Sequence, residues 1–154
     1  MLAGKLLDDY IPNTMIDDIY NKDVLRLAAN IGGLDTLVNP DATASLRSPL
    51  CGSSIEIAIT TKDDVITGYS HSIKACALGQ ASAAVMATAA IGKTKNDIQI
   101  IRDQVEAMLI ENAEPPEGDW ASLAALAPAK DAKPRHGAIL LPFDVVLKAL
   151  EDLT

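Results

Sequence analysis

The chain has 154 residues, 49% of them apolar, enough for one domain to bury a core without disulfide or metal staples. Its formal charge of -8 sets the average field against nucleic-acid backbones and anionic membrane surfaces, so a small molecule, a metal or a basic protein is the expected partner. Only 2 cysteines are present, and reduced thiols in a cytoplasmic protein are the default expectation, with a disulfide between them disfavoured by that compartment.

The opening run from Met1 to Asp9 is too short in apolar residues for a signal peptide and turns acidic at once. Ile16, Ile19, Tyr20, Val24, Leu27 and Ala28 recur at helical spacing and predict an amphipathic helix from about Thr14 or Met15 to Asn30, ended by Ile31-Gly32-Gly33. A connector follows from Leu34 to Pro49, with turn signals at Asn39-Pro40-Asp41 and Ser48-Pro49. Between Ser54 and Thr61, Ile55, Ile57 and Ile59 alternate with Glu56, Ala58 and Thr60, the period of a half-buried strand. Lys62-Asp63-Asp64-Val65 reads as a turn, and Val65 to Ile73 as a returning antiparallel strand rich in β-branched and aromatic types. A hairpin alone is marginal, so a third strand is expected within the 34–50 connector.

Helices are then expected from about Cys76 to Ile91 and from about Lys95 to Glu111, separated by Gly92-Lys93-Thr94. Glu114 to Gly118 reads as a loop, Trp120 to Leu126 as a short helix, Pro128 to Pro134 as a second loop, and roughly Ile139 or Pro142 to Leu153 as the last helix. The result is an α+β layout in which helices cover one face of a small antiparallel sheet of about three strands. The Ala-rich run from Ala75 to Ile91 contains Gln80, Ser82 and Thr88 and falls short of a membrane span.

Pairing the hairpin about Asp63-Asp64, with Lys62 facing Val65, sets Cys51 opposite Cys76, where both thiols could serve one ligand; a bulge would shift that register. Cys76 falls at the strand-to-helix junction, where free amide N–H groups, the helix dipole and Lys74 all favour a thiolate, making it the more reactive thiol. Cys51 is followed by Gly52, which admits close approach of a ligand, and by the hydroxyls of Ser53 and Ser54. The bland alternative is a pair of inert core thiols. His71, mid-strand, reads as structural, and Trp120, Met108 and Phe143 read as core. No Gly-x-Gly-x-x-Gly, P-loop, Gly-x-Ser-x-Gly or His-Glu-x-x-His pattern occurs, which removes the common nucleotide, hydrolase and zincin readings.

Cys51-Gly52 opening a strand, Cys76-Ala77-Leu78-Gly79-Gln80-Ala81-Ser82 at a helix start, and Ile91-Gly92-Lys93-Thr94 after it resemble the iron–sulfur cluster scaffold family of NifU, IscU and SufU type, over roughly Ile19 to Leu150. The distance from Cys76 to Arg135-His136-Gly137-Ala138 is similar to the SufU-type branch. That segment, with Leu140-Leu141-Pro142-Phe143, looks closest to alphaproteobacterial NifU-like proteins. The resemblance implies a SufE/NifU-like fold, residues 1–154 as a single NifU N-terminal or IscU-like scaffold domain, no enzymatic activity, and Cys51 and Cys76 as ligands of a transient iron–sulfur cluster, with zinc the other metal to consider. It also implies a cysteine desulfurase and apo iron–sulfur proteins as partners, neither nucleic acid nor membrane, and a homo-oligomer as an open arrangement.

Two departures stand out. Where the family usually has Cys-Gly-Asp this chain has Cys51-Gly52-Ser53, and the usual third cysteine aligns on Ala138. His136, two residues earlier, is the candidate third metal ligand, the alternative being a solvated or capping residue. Two rival functions follow: a zinc- or persulfide-dependent sulfurtransferase that builds no cluster, and a ligand-depleted module that regulates the assembly machinery by binding it.

Overall fold

The computed structural model describes residues 19–33, 35–50 and 52–153. Helix α1 (Lys22–Ala29) leads to strands β1 (Ala42–Arg47), β2 (Ser54–Lys62) and β3 (Val65–Lys74). Helices α2 (Ala77–Ala89) and α3 (Lys95–Glu111) follow, then a 3-10 segment (Gly118–Asp131), a 3-10 turn (Lys133–Arg135) and the last helix α4 (His136–Glu151). The strands form one antiparallel sheet in the order β1-β2-β3, with the third strand in the expected connector. Helix α4 lies across β1 and β2, α2 lies against β3, and α1 and α3 flank them, so one face of the sheet is covered.

The register answers a parity problem. Ile55, Ile57 and Ile59 are odd-numbered and buried, and their natural partners on β3, Tyr69, His71 and Ile73, are odd as well. A two-residue tip at Asp63-Asp64 pairs Lys62 with Val65 and Thr61 with Ile66, which would set each isoleucine against an even-numbered residue, Ile57 against Ser70 for example. A bulge between Thr60 and Thr61 takes up one residue, so Ile59 meets Tyr69, Ile57 meets His71 and Ile55 meets Ile73. The same shift corrects the expected facing of Cys51 and Cys76. The ladder ends at Ser54 opposite Lys74, and its continuation would set position 52, not 51, across from Cys76. Asp63 and Asp64 both take positive φ, 53° and 67°, as a two-residue turn matched to strand twist requires.

The free edge of β3 is occupied by loops. His71 N–H donates to the Gly33 carbonyl at 2.6 Å, and Ile66 exchanges hydrogen bonds with the 92–93 backbone, donating to Lys93 at 2.9 Å and accepting from Gly92 at 2.8 Å. These contacts remove an exposed pairing edge.

Three boundaries differ from expectation. Residues 14–18 of the first expected helix lie outside the described residues, and α1 begins only at Lys22, because the Asn21 side chain accepts from Val24 N–H and caps it there. The expected loop from Pro128 to Pro134 is wound into 3-10 turns, since the fixed φ of proline suits such turns. Helix α4 starts at His136 and carries Pro142 inside it. Proline there denies one N–H to the carbonyl four residues back, that of Ala138, and crowds it with its ring, yet the helix runs on through it. Helix α3 runs over the expected span, with Thr94 and Asp97 forming a reciprocal cap.

Candidate functional site

Three strips of chain meet at the end of the sheet away from the Asp63-Asp64 tip: the 48–53 turn, the start of α2 and the start of α4. The turn is closed twice, by Gly52 N–H donating to the Ser48 carbonyl at 2.9 Å and Ser48 N–H donating to the Ser53 carbonyl at 2.7 Å. Cys51 itself lies outside the described residues, but both its neighbours are placed: Leu50 stands 78% exposed at the tip, and Gly52 is exposed beside it.

Cys76 is the N-cap of α2. Its backbone is extended, its carbonyl accepts from Gln80 N–H at 2.9 Å, and its side chain makes no capping hydrogen bond. The half-buried thiol is therefore not consumed by helix capping, and it sits where the first turn's amide groups are otherwise unpaired. Gln80 spans that first turn, its side-chain N–H donating to the Ala75 carbonyl at 3.1 Å.

Small residues bring the strips together. A Cβ on Gly79 would lie 2.8 Å from the Ala75 Cβ, 3.3 Å from the Ala138 carbonyl oxygen and 3.4 Å from the Ala138 Cβ. Glycine is thus required where α2 crosses α4. A Cβ on Gly137 would lie 2.7 Å from Ser48 Oγ, so a second glycine lets the 48–53 turn close on the start of α4. The buried Ser82 hydroxyl donates to the Ile139 carbonyl at 2.6 Å and fastens the same two helices one turn deeper. Position 138, where the resemblance places a third cysteine, accordingly sits against the first turn of α2, and Ala138 there is fully buried. Ser53, at the position of the usual aspartate, is 4% exposed.

His136 goes elsewhere. Its Nε2 donates to the carbonyls of Ala129 and Lys130 at 3.0 and 3.1 Å, and the residue lines a groove with Leu109, Ile110 and Lys130. A helix advances about 100° per residue, so the side chain two positions before Ala138 leaves from a different side of α4. Among the described residues no group of three or more His, Cys, Asp or Glu side chains is placed to hold a metal ion. His71, by contrast, is buried on the covered face and satisfied at both ring nitrogens. Sequence reasoning misses Gly79, Gly137 and Ser48. Gly79 inside the first turn of a predicted helix was the available signal, since an isolated helical glycine marks a close approach.

A short antiparallel sheet lies under helices, with a thiol at one end that its own helix cap does not use. The family model of the NifU-like N-terminal domain matches residues 19–133, so the chain belongs to that family. A NifU-like protein (N-terminal) from Brucella abortus is 43% identical over 90% of this chain and 96% of its own, with a TM-score of 0.86. A putative iron–sulfur cluster assembly scaffold protein for the SUF system from Fervidobacterium islandicum shares the fold at 22% identity, covering 87% of this chain and 98% of its own with a TM-score of 0.77. No curated protein sequence matches the chain. Among the described residues no helix is long and apolar enough to cross a membrane.

Proposed function

We propose that this protein receives sulfur and iron at Cys51 and Cys76, holds them as a transient cluster and releases it to apo iron–sulfur proteins. The cluster is cargo, and a cysteine desulfurase is the sulfur source. The single observation that carries the reading is the Cys76 thiol, unused by its own helix cap, at the start of the helix whose Gly79 packs on Ala138, where the resemblance places a further ligand. Tetrahedral metal or a [2Fe–2S] unit takes four ligands, and this chain offers two thiols, with Ser53 and Ala138 at the remaining positions. Ligand exchange with a recipient is then easy, because open positions accept incoming thiolates. Zinc in place of iron, a cytoplasmic setting and a homo-oligomer remain parts of the proposal, and His136 becomes a third ligand only by leaving the Ala129 and Lys130 carbonyls.

Anaerobic reconstitution with iron and sulfide tests it, read by visible absorbance and metal count. The wild-type chain should bind both, and Cys51→Ser and Cys76→Ser should each lose them. Equal loading of the double serine variant would overturn the proposal. The same two replacements, Ser53 and Ala138, favour a second reading in which the chain regulates the assembly machinery by binding it. Unchanged desulfurase binding by the double serine variant, together with no cluster on the wild-type chain, would select that reading.

A further inference from the structure

The uncovered face of the sheet has its own chemistry. Cross-strand pairing of Arg47 with Ser54, and of Ser54 with Lys74, makes one row of cation, hydroxyl and cation at the sheet end nearest Cys76. The next row on that face is Ser45, Glu56 and Ser72. All six line an open cleft of about 570 Å³, a volume typical of small-molecule sites. In a chain of charge -8 two cations in one cross-strand row on an exposed face stand out, and among the described residues Arg47, Lys74 and Glu56 take part in no ion pair. Neither the family assignment nor the thiol site accounts for them.

We infer that this cleft binds a low-molecular-weight thiol bearing two carboxylates and one ammonium group, whose sulfur supplies a ligand that the chain lacks beside Cys76. The inference rests on the cluster-holding reading of the thiol site. The charges match group for group: Arg47 and Lys74 each face a carboxylate, and Glu56 faces the ammonium. The spans match as well. Arg47 and Lys74 lie two strand spacings apart, about 10 Å, which is about the reach of an extended tripeptide. Lys74 is two residues from Cys76, about 7 Å along an extended chain, so a thiol on the middle of such a ligand comes within reach of the cluster position. The cleft thus holds the carrier while its sulfur enters the open coordination position.

The test uses the full-length chain under anaerobic conditions with three probes: glutathione, S-methylglutathione and cysteamine. On the apo-protein, glutathione and S-methylglutathione should bind with similar affinity and shift the amide resonances of Arg47, Ser54, Glu56 and Lys74, while cysteamine should not. Arg47→Ala with Lys74→Ala should weaken both by about tenfold or more, as loss of charge-assisted contacts predicts, with an unchanged thermal midpoint because both side chains are exposed. After reconstitution, glutathione should lengthen iron retention several-fold, and S-methylglutathione should not. Unaltered affinity in the double variant, equal protection by cysteamine, or an acidic protein binding this row in the absence of any glutathione binding would each overturn the inference. S-methylglutathione binding needs no iron, so the two failures separate: binding without any cluster refutes the proposed function and leaves the cleft, whereas a cluster without binding refutes the cleft alone.

Discussion

His71 Nε2 lies 2.7 Å from the carbonyl oxygen of Gly32, a partly buried hydrogen bond between the edge strand β3 and the loop that follows α1. The carbonyl can only accept, so Nε2 carries the proton, and in the neutral ring Nδ1 accepts from the Tyr69 hydroxyl at 3.0 Å. Burial lowers the His71 pKa from 6.5, outweighing the bond to Gly32, which raises it. The unfolded chain therefore takes up a proton first as pH falls, and the stability held above about pH 6.5 is progressively lost below it. Urea midpoints measured from pH 7.5 to 5.5 should fall for the wild-type chain and stay flatter for His71→Asn. The variant should also be less stable at pH 7.5, by about 1–3 kcal/mol, because it strands buried partners. Parallel curves for the two proteins would contradict this.

Gly79→Val drives two methyl groups into the contact with Ala75 and Ala138. Overpacking of this kind costs about 1–3 kcal/mol, and here it is relieved by parting α2 from α4. The half-buried Cys76 should open, so its alkylation rate at fixed pH should rise along with the loss of stability. An unchanged alkylation rate in a destabilised variant would show that the glycine acts on the core and not on the thiol.

Ser53→Asp combined with Ala138→Cys supplies two anionic ligands at the positions where the resemblance places them. Metal held by the natural chain should exchange faster in a chelator challenge than metal held by this variant. Both positions are nearly or fully buried, so the metal-free variant should be less stable than the natural chain, by about 1–3 kcal/mol from a confined carboxylate and added volume. Metal addition should recover that loss. Equal chelator half-lives in the two proteins would mean that other residues already complete the shell, with His136 the first to examine.

Arg102 joins α3 to α4 through Asp144 at 3.0 Å and closes an intrahelical pair with Glu106 at 3.0 Å, its side chain 21% exposed. Arg102→Met keeps the aliphatic stem and removes the charge. A loss of about 1 kcal/mol is expected, shrinking in 1 M salt because the acidic partners are partly exposed and the pairs are screened. A salt-independent loss would assign the effect to packing.

Much of the fold is legible because its elements announce themselves locally. Ile55, Ile57 and Ile59 mark β2 by alternation, and Thr94 with Asp97 marks the start of α3 by capping chemistry. The start of α4 is less legible, since Pro142 suggests a boundary that tertiary packing overrides. The register was open to parity reasoning: three odd isoleucines facing Tyr69, His71 and Ile73 demand one extra residue in a hairpin with a two-residue tip. Of the candidate site, Cys76 at a helix start can be read from sequence. Of its neighbours only Gly79 carries a local signal, a glycine in the first turn of a predicted helix, whereas Ser48 and Gly137 are brought in by chain closure and carry none.

The bulge beside Thr60 has a practical consequence for anyone handling this molecule. The Asp63-Asp64 tip and the thiol end are separated by the nine-residue length of β2, about 30 Å. An insertion between Asp63 and Asp64 falls outside the paired residues and lets the pairs from Ile59–Tyr69 to Ser54–Lys74 keep their phase, so a fluorophore or affinity handle placed there reports on the protein without touching its sulfur chemistry. Deleting the single residue Ser70, beyond the bulge, would do the reverse, turning His71 and Ile73 outward. The same hairpin therefore offers a permissive attachment point and, a few residues away, a position where one missing residue inverts a strand.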